Sequence, residues 1–217
     1  MSKVLDKFQD LQTGKENREL FEAGMNKNPF KQFNVWMKKA TESSILPFPN
    51  AMTLSTSTKK GKPSGRIVLL KGFDEFGLVF FTNYTSKKAN ELAENPFAAL
   101  TFYWQGLERQ IRISGHIEKT SKKESEKYFK SRPRGSQLAA IASPQSMVVK
   151  DRDSLDFLYK NVEKKLENKQ IICPPYWGGY RLIPDYFEFW QGRSNRFHDR
   201  IRYVLVSKKW KMERIAP

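Results

Sequence analysis

The segment QIRISGHI, residues 110–117, decides the fold class because its side chains alternate between apolar and polar. In an extended strand its three isoleucines face one side. The polar residues that face the other side are Gln110, Arg112, Ser114 and His116. Such alternation is typical of a strand that covers a core with one face and meets solvent with the other. The segment therefore predicts a half-buried strand with an exposed His116.

Working outward from this strand, four earlier segments also have strand character and are separated by short polar turns. They are residues 52–56, RIVLLKGF at 66–73, LVFFTN at 78–83 and PFAALTFYW at 96–104. Five such strands without long helices between them predict a mainly β, antiparallel barrel or sandwich. The run at 66–73 is apolar enough that we expect both of its faces to be covered. In a regular strand Arg66 and Lys71 point to opposite faces, so either a bulge unites them or they serve different parts of a site, such as one shared between subunits.

Helical patterns flank the strands. An amphipathic helix is predicted to begin near Pro29, and a capping box of Ser121 and Glu124 begins another. A short helix at 137–142 and a longer one at about 153–167 follow. The packing stripe predicted for the longer helix is Leu155, Leu158, Val162 and Leu166. We therefore predict an N-terminal arm at 1–28, either mobile or a weakly docked helix, and a single domain at 29–217 with a helical insertion at about 120–167.

Composition limits the possible partners. The chain has 217 residues, 39% of them hydrophobic, and its 39 basic and 23 acidic side chains leave a net charge of +16. That charge favours nucleic acid, an acidic membrane or phosphorylated small molecules. A single cysteine excludes an internal disulfide, and no apolar run approaches ~20 residues. Without a hydrophobic signal core at its start, the sequence predicts a cytoplasmic location and no membrane partner. Its two histidines and one cysteine are scattered, with no carboxylates at ligand spacing to complete a site, so no metal site is predicted.

Two basic clusters are candidate phosphate sites. Lys87 and Lys88 open a predicted helix, where cations are unfavourable unless an anion lies against the N–H groups. The alternative is a pair of solvated lysines. In YFKSRPRGSQ, Tyr128 and Arg132 share one helix face, and Ser136 follows the helix break. A plain basic helix end is the alternative there.

The segment EFWQGRSNRFHDR, residues 188–200, concentrates the most chemistry in the chain. It lies between two predicted strands, with Gly192 to bend the backbone. In an extended segment Arg196, His198 and Arg200 point to one face and converge on an anionic or electron-accepting ligand. An ordinary solvated hairpin loop is the alternative.

Nine ordered blocks resemble the pyridoxine (pyridoxamine) 5'-phosphate oxidase family over about residues 29–217. The blocks are RIVLLKGF, FFTNYTSKK, ENPFAALTFYW, QIRISG, YFKSRPRGSQ, SPQS, WGGY, EFWQGRSNRFHDR and ERIAP. The resemblance implies a Greek-key split β-barrel flavoprotein of vitamin B6 metabolism. It would be a homodimer with FMN at the subunit interface, oxidising pyridoxine or pyridoxamine 5'-phosphate to pyridoxal 5'-phosphate with O2 and releasing H2O2.

The resemblance also assigns site residues. The cofactor set is Arg66, Ile67, Val68, Leu69, Phe81, Thr82, Lys87, Lys88, Gln110, Gln145, Ser146, Trp190 and Arg200. The substrate set is Lys71, Tyr128, Arg132 and Ser136 at the phosphate, with Arg196, Phe197 and His198 at the pyridine ring. Arg196 and His198 are the implied catalytic residues. Arg196 is expected to matter most for turnover, because it positions the ring.

The chain departs from the family pattern at two places. Lys87 stands where members usually have arginine, so a bidentate phosphate contact becomes a single charge contact. Residues 1–27 lack the tyrosine that closes over the substrate in many members, so no lid role is transferred. Two other functions stay open from the sequence alone: a nucleic-acid binder that stacks bases on aromatic side chains, and a flavin-binding split barrel without oxidase activity.

Overall fold

The computed structural model describes residues 19–217, which divide into two compact units. The terminal unit contains residues 19–49, 101–112 and 186–217, and the central unit contains residues 50–100 and 113–185. Of the predicted arm at 1–28, residues 1–18 lie outside the described part of the chain. The single-domain arrangement of 29–217 stays a prediction.

Strands and helices follow the predicted order closely. The strands are β1 Ala51–Ser57, β2 Pro63–Leu69, β3 Gly72–Asp74, β4 Gly77–Asn83, β5 Phe97–Trp104, β6 Arg109–Lys119, β7 Trp177–Gln191, β8 Asp199–Val206 and β9 Lys209–Arg214. The helices are α1 Pro29–Glu42, α2 Lys87–Glu94, α3 Lys122–Ser131, α4 Arg134–Ala142 and α5 Arg152–Lys165. The prediction of a mainly β protein with flanking helices is confirmed.

The central unit is built on antiparallel strand pairs. β1 pairs with β2, β3 with β4, and β4 with the first half of β7. In β6, Ile111, Ile113 and Ile117 are buried while His116 is exposed, so the predicted alternation is confirmed. α3 begins as predicted, because the Ser121 side chain accepts a hydrogen bond from the Glu124 N–H.

The prediction for residues 66–73 was wrong in two respects. The segment is broken at Leu70 and Lys71 between β2 and β3, and β2 lies at one end of the strand order. Exposed and partly buried residues alternate along β2, so the described residues leave one of its faces open, contrary to the prediction that both are covered. Ile67 is 65% exposed and Leu69 is also exposed.

Two helix predictions also need correction. α4 begins at Arg134, three residues earlier than predicted, because Pro133 occupies its N-cap and allows the turn to start there. On α5, Leu158 is exposed instead of packed. Tyr159, Val162 and Leu166 pack on the cluster around Phe129, because spacings of three and four from 159 keep this face together.

The terminal unit has an aromatic core. α1 is capped by the Asn28 side chain and begins with Pro29, as predicted. Its buried Trp36 lies edge-on to Phe189, with ring centroids 5.2 Å apart. Burial of each such ring contributes about 1.5–3 kcal/mol. The second half of β7 pairs with β8, and β8 with β9, so this core supports the hairpin that carries the segment 188–200.

Candidate active site

Lys88 is the centre of a polar cluster in the central unit. The half-buried ammonium group donates hydrogen bonds to three side-chain oxygens: Gln145 Oε1 at 2.8 Å, Thr82 Oγ1 at 3.1 Å and Ser86 Oγ at 3.2 Å. Thr82 in turn donates to Gln145 at 3.1 Å. β4, the start of α2 and the turn after α4 thus meet around one lysine. Lys88, Thr82 and Gln145 were all predicted site residues, and the structure brings them together.

Arg66 and Glu91 form a second network in the same unit. The Arg66 guanidinium donates to Leu54 O, Thr56 Oγ1 and the Ser64 hydroxyl, and it pairs with Glu91 Oε2 at 3.2 Å. Glu91 is buried and also accepts hydrogen bonds from the hydroxyls of Thr56 and Ser64. Burial alone raises the pKa of Glu91, but these donors outweigh it and hold the pKa below its usual value. Arg66 is therefore fixed in place by an ionised carboxylate.

The electrostatics of Lys88 indicate that this cluster favours an anion. Burial, together with the nearby charge of Arg66, lowers the pKa of Lys88 to about 8, against an opposing effect of Glu91. Three cations, Arg66, Lys87 and Lys88, thus lie near one buried carboxylate. A phosphate placed against Lys88 supplies the missing negative charge and replaces lost hydration.

The remaining predicted cofactor residues differ in exposure. The Lys87 side chain is 67% exposed, and its ammonium lies 4.0 Å from Glu91. The expectation that one anion neutralises both lysines of α2 stays a prediction. Ile67 and Leu69 are exposed on β2, and Val68 is partly buried. The other three are Phe81 and Gln110, both partly buried, and Ser146, which is exposed at a positive φ of 73°.

A cavity of about 350 Å³ lies beside the predicted substrate-phosphate residues in the central unit. Lys71 and Tyr128 both line it, and the Lys71 ammonium lies 5.9 Å from the centroid of the Tyr128 ring. Tyr128 stacks on Phe81 with ring centroids 4.0 Å apart. The break between β2 and β3 therefore places Lys71 next to α3, which strand parity did not reveal.

Arg132 lies at the end of α3 against aromatic rings. Its guanidinium carbon is 4.8 Å from the centroid of the Trp177 ring. Its Nη1 atom is buried and has no hydrogen-bond partner among the described residues. Burial lowers the pKa of Arg132. A buried donor without a partner is costly, so this guanidinium favours an anionic ligand. Ser136, the fourth predicted residue, lies partly buried in the first turn of α4.

The turn after β7 in the terminal unit carries the predicted catalytic residues. Asn195 and Arg196 adopt left-handed backbone conformations, with φ of 58° and 59°. The prediction that Arg196, His198 and Arg200 alternate along one face of an extended segment is therefore wrong. Arg196 is exposed, and so is Phe197, at 78%. Gly192 lies where there is little room for a side chain, because a Cβ at this position would be 2.9 Å from Glu108 Cβ.

His198 is held at two points. Its Nδ1 accepts a hydrogen bond of 3.0 Å from the backbone N–H of Arg193, and its ring centroid lies 4.7 Å from that of Trp190. Because Nδ1 is the acceptor, the neutral ring carries its proton on Nε2. Nε2 is thereby the donor that this side chain can offer to a ligand.

Ion pairs anchor the turn at both ends. The Arg193 guanidinium contacts Asp199 at 3.3 Å and Glu19 at 2.9 Å. Asp199 also pairs with Arg214 at 2.6 Å and accepts a hydrogen bond from the Leu20 N–H. The exposed residues Arg196 and Phe197 therefore lie in a turn whose ends are fixed by charged contacts.

Trp190 and Arg200 are brought together by the β-sheet register. They are direct cross-strand partners of β7 and β8, so their side chains share one face. The Arg200 Nε donates to the buried carboxylate of Glu188 at 2.9 Å. Both were predicted for the cofactor, and this pairing places them side by side.

Sequence reasoning missed several supporting residues. Glu91, Ser64 and Thr56 fix Arg66, while Trp177 supports Arg132. Glu91 had a detectable signal, because it lies four residues after Lys87 on one helix face. The others depend on contacts between distant strands. Among residues 19–217, no cluster of three or more His, Cys, Asp or Glu side chains is arranged to hold a metal ion, and no helix is long and apolar enough to span a membrane.

Comparison with known proteins gives consistent matches. A family model described as pyridoxamine 5'-phosphate oxidase matches residues 39–165. A second, described as the pyridoxine 5'-phosphate oxidase C-terminal dimerisation region, matches residues 177–217. A Synechocystis protein named pyridoxine/pyridoxamine 5'-phosphate oxidase is 50% identical over 96% of this chain and 97% of its own length. A Burkholderia mallei protein of the same name is 52% identical over 96% of this chain and 98% of its own.

Solved structures agree in fold. PhzG from Burkholderia lata 383, solved with tetrahydrophenazine-1-carboxylic acid, superposes with a TM-score of 0.86 at 30% identity, over 93% of this chain and 99% of that one. A pyridoxamine 5'-phosphate oxidase-related, FMN binding protein from Nostoc punctiforme gives a TM-score of 0.69 at 18% identity, over 89% of this chain and 100% of that one. The predicted split-barrel fold class is confirmed.

Proposed function

The chain belongs to the pyridoxine/pyridoxamine 5'-phosphate oxidase family and is an FMN-dependent oxidase of phosphorylated vitamin B6 compounds. We propose which electron acceptor it uses and how its residues bind the cofactor and the substrate. The substrate is pyridoxine 5'-phosphate or pyridoxamine 5'-phosphate, and the product is pyridoxal 5'-phosphate. The electron acceptor is O2, which leaves as H2O2. The alcohol loses two electrons and two protons; the amine does the same and then takes up water and releases ammonia.

The observation that carries the cofactor assignment is the Lys88 cluster. Its ammonium group, the hydroxyl of Thr82 and the amide of Gln145 converge within about one hydrogen-bond length. The neighbouring Arg66 leaves a cationic surplus that a phosphate monoester neutralises. These residues fit the phosphate of FMN. When bound, FMN supplies the two-electron acceptor for the reaction.

The substrate phosphate is assigned to a second group of cations in the central unit. Lys71 and Tyr128 line the cavity of about 350 Å³ and offer an ammonium and a phenol. Arg132 contributes a buried guanidinium nitrogen that lacks a protein partner among residues 19–217. Ser136 adds a hydroxyl from the first turn of α4. Such a set binds a phosphate and fixes one end of the substrate.

Arg196, Phe197 and His198 are assigned to the pyridine ring. Arg196 and Phe197 are exposed on a turn whose ends are fixed, so both are available to contact a ring. The His198 ring is oriented by the Arg193 N–H and offers Nε2–H as a donor. The chain's contribution to rate is then orientation: it holds the carbon to be oxidised in a reactive position.

A homodimer is supported by the match of residues 177–217 to a dimerisation region. We place FMN at the subunit interface, in contact with the exposed strand β2. Ile67 on that strand is 65% exposed in the single chain, and Leu69, which lies on the same face of β2, is also exposed. This assignment gives the exposed side chains of β2 a partner.

The test is spectroscopic and enzymatic. The purified protein is expected to be yellow, with an absorbance band near ~450 nm from bound flavin. Adding pyridoxine 5'-phosphate in air is expected to produce H2O2 and pyridoxal 5'-phosphate in equal amounts. A colourless protein that binds no added FMN would contradict the cofactor assignment. A yellow protein that releases no H2O2 would identify a passive flavin binder instead.

A further inference from the structure

Glu188 is a buried carboxylate in the terminal unit that none of the site assignments includes. It lies on β7 between Tyr186 and Trp190, and only 2% of its side chain is exposed. Its Oε1 accepts a hydrogen bond from Arg200 Nε at 2.9 Å, and its Oε2 accepts one from the Tyr186 hydroxyl at 2.7 Å. The Arg112 guanidinium lies 3.5 Å from the same Oε2. Both carboxylate oxygens are therefore occupied.

These contacts keep Glu188 ionised. Burial alone raises the pKa of Glu188, but the hydrogen bonds from Arg200 and Tyr186 and the charge of Arg112 hold it below its usual value. Burial and the hydrogen bond to Glu188 raise the pKa of Tyr186 to about 12, so its phenol remains a donor. Two arginines against one carboxylate leave a net positive charge at this position.

Arg200 is fixed by more than this carboxylate. Its Nη1 donates to the carbonyl of Ala216 at 2.8 Å, and its own carbonyl accepts the N–H of Ile215 at 3.0 Å. Its Nη2 donates to no other residue in the described chain, and the side chain is 23% exposed. Two of the three guanidinium nitrogens are thus held by protein, and the third is left available.

The geometry points to Glu188 as a positioning residue for cofactor binding: by holding Arg200 at Nε, it directs Nη2 of that arginine toward FMN. This inference rests on the proposed function, which assigns Arg200 and its cross-strand partner Trp190 to the flavin. Glu188 itself does not touch the cofactor. Its contribution is to keep a long, flexible side chain in one rotamer before the ligand arrives, which reduces the entropy lost on binding.

A purely structural ion pair is the competing explanation, and the two differ in a measurable way. Buried ion pairs often contribute little net stability, and a structural role affects FMN affinity independently of Arg200. A positioning role acts only through Arg200. Once Arg200 is removed, the identity of residue 188 then no longer affects FMN affinity, whereas independent effects add.

The experiment is a double-mutant cycle with Glu188→Gln, Arg200→Ala and the double variant. The measurements are the FMN Kd of each apo-protein, from flavin fluorescence, and the apo-protein Tm. Glu188→Gln is expected to raise the FMN Kd about tenfold, as for loss of one charged hydrogen bond. The double variant is expected to bind FMN no more weakly than Arg200→Ala alone. Additive losses, or an unchanged Kd in Glu188→Gln, would overturn the inference.

Two further variants complete the design. If Glu188→Gln does not fold, Glu188→Asp replaces it in the cycle, because it keeps the charge but withdraws the carboxylate from Arg200 Nε by one methylene group. Glu213→Gln is the matched control. Glu213 lies on β9, pairs with Arg202 of β8 and Lys211 of β9, and does not contact Arg200. Its FMN Kd is expected to equal that of the wild type. Wild-type protein that binds no FMN refutes the proposed function, whereas wild-type binding with no effect of Glu188 refutes this inference alone.

Discussion

The central unit and the turn after β7 in the terminal unit present their candidate ligand-binding residues in different ways. In the central unit, Lys88 is half-buried and donates to three side-chain oxygens, and Arg66 is fixed by the buried Glu91. In the terminal unit, Arg196 and Phe197 are exposed in a left-handed turn. There His198 and the ends of the turn are held by contacts, whereas Arg196 and Phe197 are exposed.

This difference separates binding from turnover. Cations held in a network before the ligand arrives lose little entropy on binding, so the central unit is suited to retain phosphates. An exposed side chain becomes ordered only when it contacts a ligand. If its contacts are stronger in the transition state than in the bound substrate, its contribution appears in kcat. We therefore expect changes in the central unit to alter Kd and KM, and changes in the terminal turn to alter kcat.

Arg196→Ala is expected to have the largest effect. Without the guanidinium the pyridine ring is less well oriented, and kcat is expected to fall by about 100-fold, the loss typical of misplaced reacting groups. FMN content, measured from absorbance, should stay at the wild-type level. Steady-state kinetics of the holoenzyme provide the measurement.

Arg152→Ala is the matched control for this variant, because Arg152 is an exposed arginine paired only with Asp156 on α5. It is expected to leave kcat unchanged. A wild-type kcat in Arg196→Ala would remove this residue from the site. A large loss of FMN would show that the turn contributes to cofactor retention, which breaks the proposed separation.

Arg132→Ala tests the substrate half of the central unit. The variant loses the buried guanidinium proposed to bind the substrate phosphate, so KM is expected to rise by about tenfold or more, corresponding to a charged hydrogen bond of ~1.5–3 kcal/mol. The value of kcat should change much less. Initial rates at varied substrate concentration separate the two parameters.

Lys130→Ala is the control for Arg132, since Lys130 is exposed in the last turn of the same helix. Its KM should match the wild type. If Arg132→Ala lowers kcat and leaves KM unchanged, Arg132 acts on turnover, and the role of the central unit is not limited to binding.

The pH dependence of FMN binding tests Lys88. Its pKa in the free protein is lowered to about 8, and a bound phosphate favours the charged ammonium and raises that pKa. FMN affinity is therefore expected to be full below about pH 8 and to fall by up to about tenfold per pH unit above it. The FMN Kd of the apo-protein is measured by fluorescence titration between about pH 6.5 and about pH 9.5. This range lies above the second pKa of the phosphate, ~6, and includes the pKa of Lys88, so the change of Kd with pH reports on Lys88.

Lys88→Met should bind FMN weakly and show no such slope, because no titrating group remains at that position. The same slope in the variant would assign the pH dependence to another residue. A flat wild-type profile would show that the ammonium group is not in contact with the phosphate.

The parts that sequence predicted well depend on local patterns. The alternation in residues 110–117, the cap at Ser121 and the apolar face of α1 each depend on neighbours within one element, and the structure confirms them. Local pattern also identified Lys88 as a candidate ligand residue. It did not predict the partners Thr82 and Gln145, which are separated by 63 residues.

The predictions that failed concern features that the residue types within one element do not determine. The break at Leu70 and Lys71 and the left-handed φ of Arg196 are backbone conformations that these residue types do not reveal. Burial of Ile67 was overestimated because apolar composition does not tell which faces of a strand the rest of the chain covers. The roles of Glu91 and Glu188 depend on which distant arginine each one contacts.

Lys87→Arg is expected to have the smallest effect. It tests whether an exposed cation of the central unit contributes less to FMN binding than the buried ones. Lys87 is exposed and lies 4.0 Å from Glu91, so it is not part of the fixed network around Lys88. A guanidinium can bind a phosphate through two nitrogens where an ammonium offers one charge contact. Because exposed charge contacts contribute about 0.2–1 kcal/mol, the FMN Kd is expected to fall by no more than about fivefold.

Lys122→Arg is the control, because Lys122 also begins a helix and pairs with a glutamate four residues later, Glu126. Its FMN Kd should not change. A tenfold or greater gain in FMN affinity in Lys87→Arg would mean that an exposed side chain contributes as much as the buried ones. Cations held in place before FMN binds would then not explain why the cofactor is retained. No gain at all would mean that Lys87 does not contact the phosphate and that its difference from the family pattern has no effect on FMN binding.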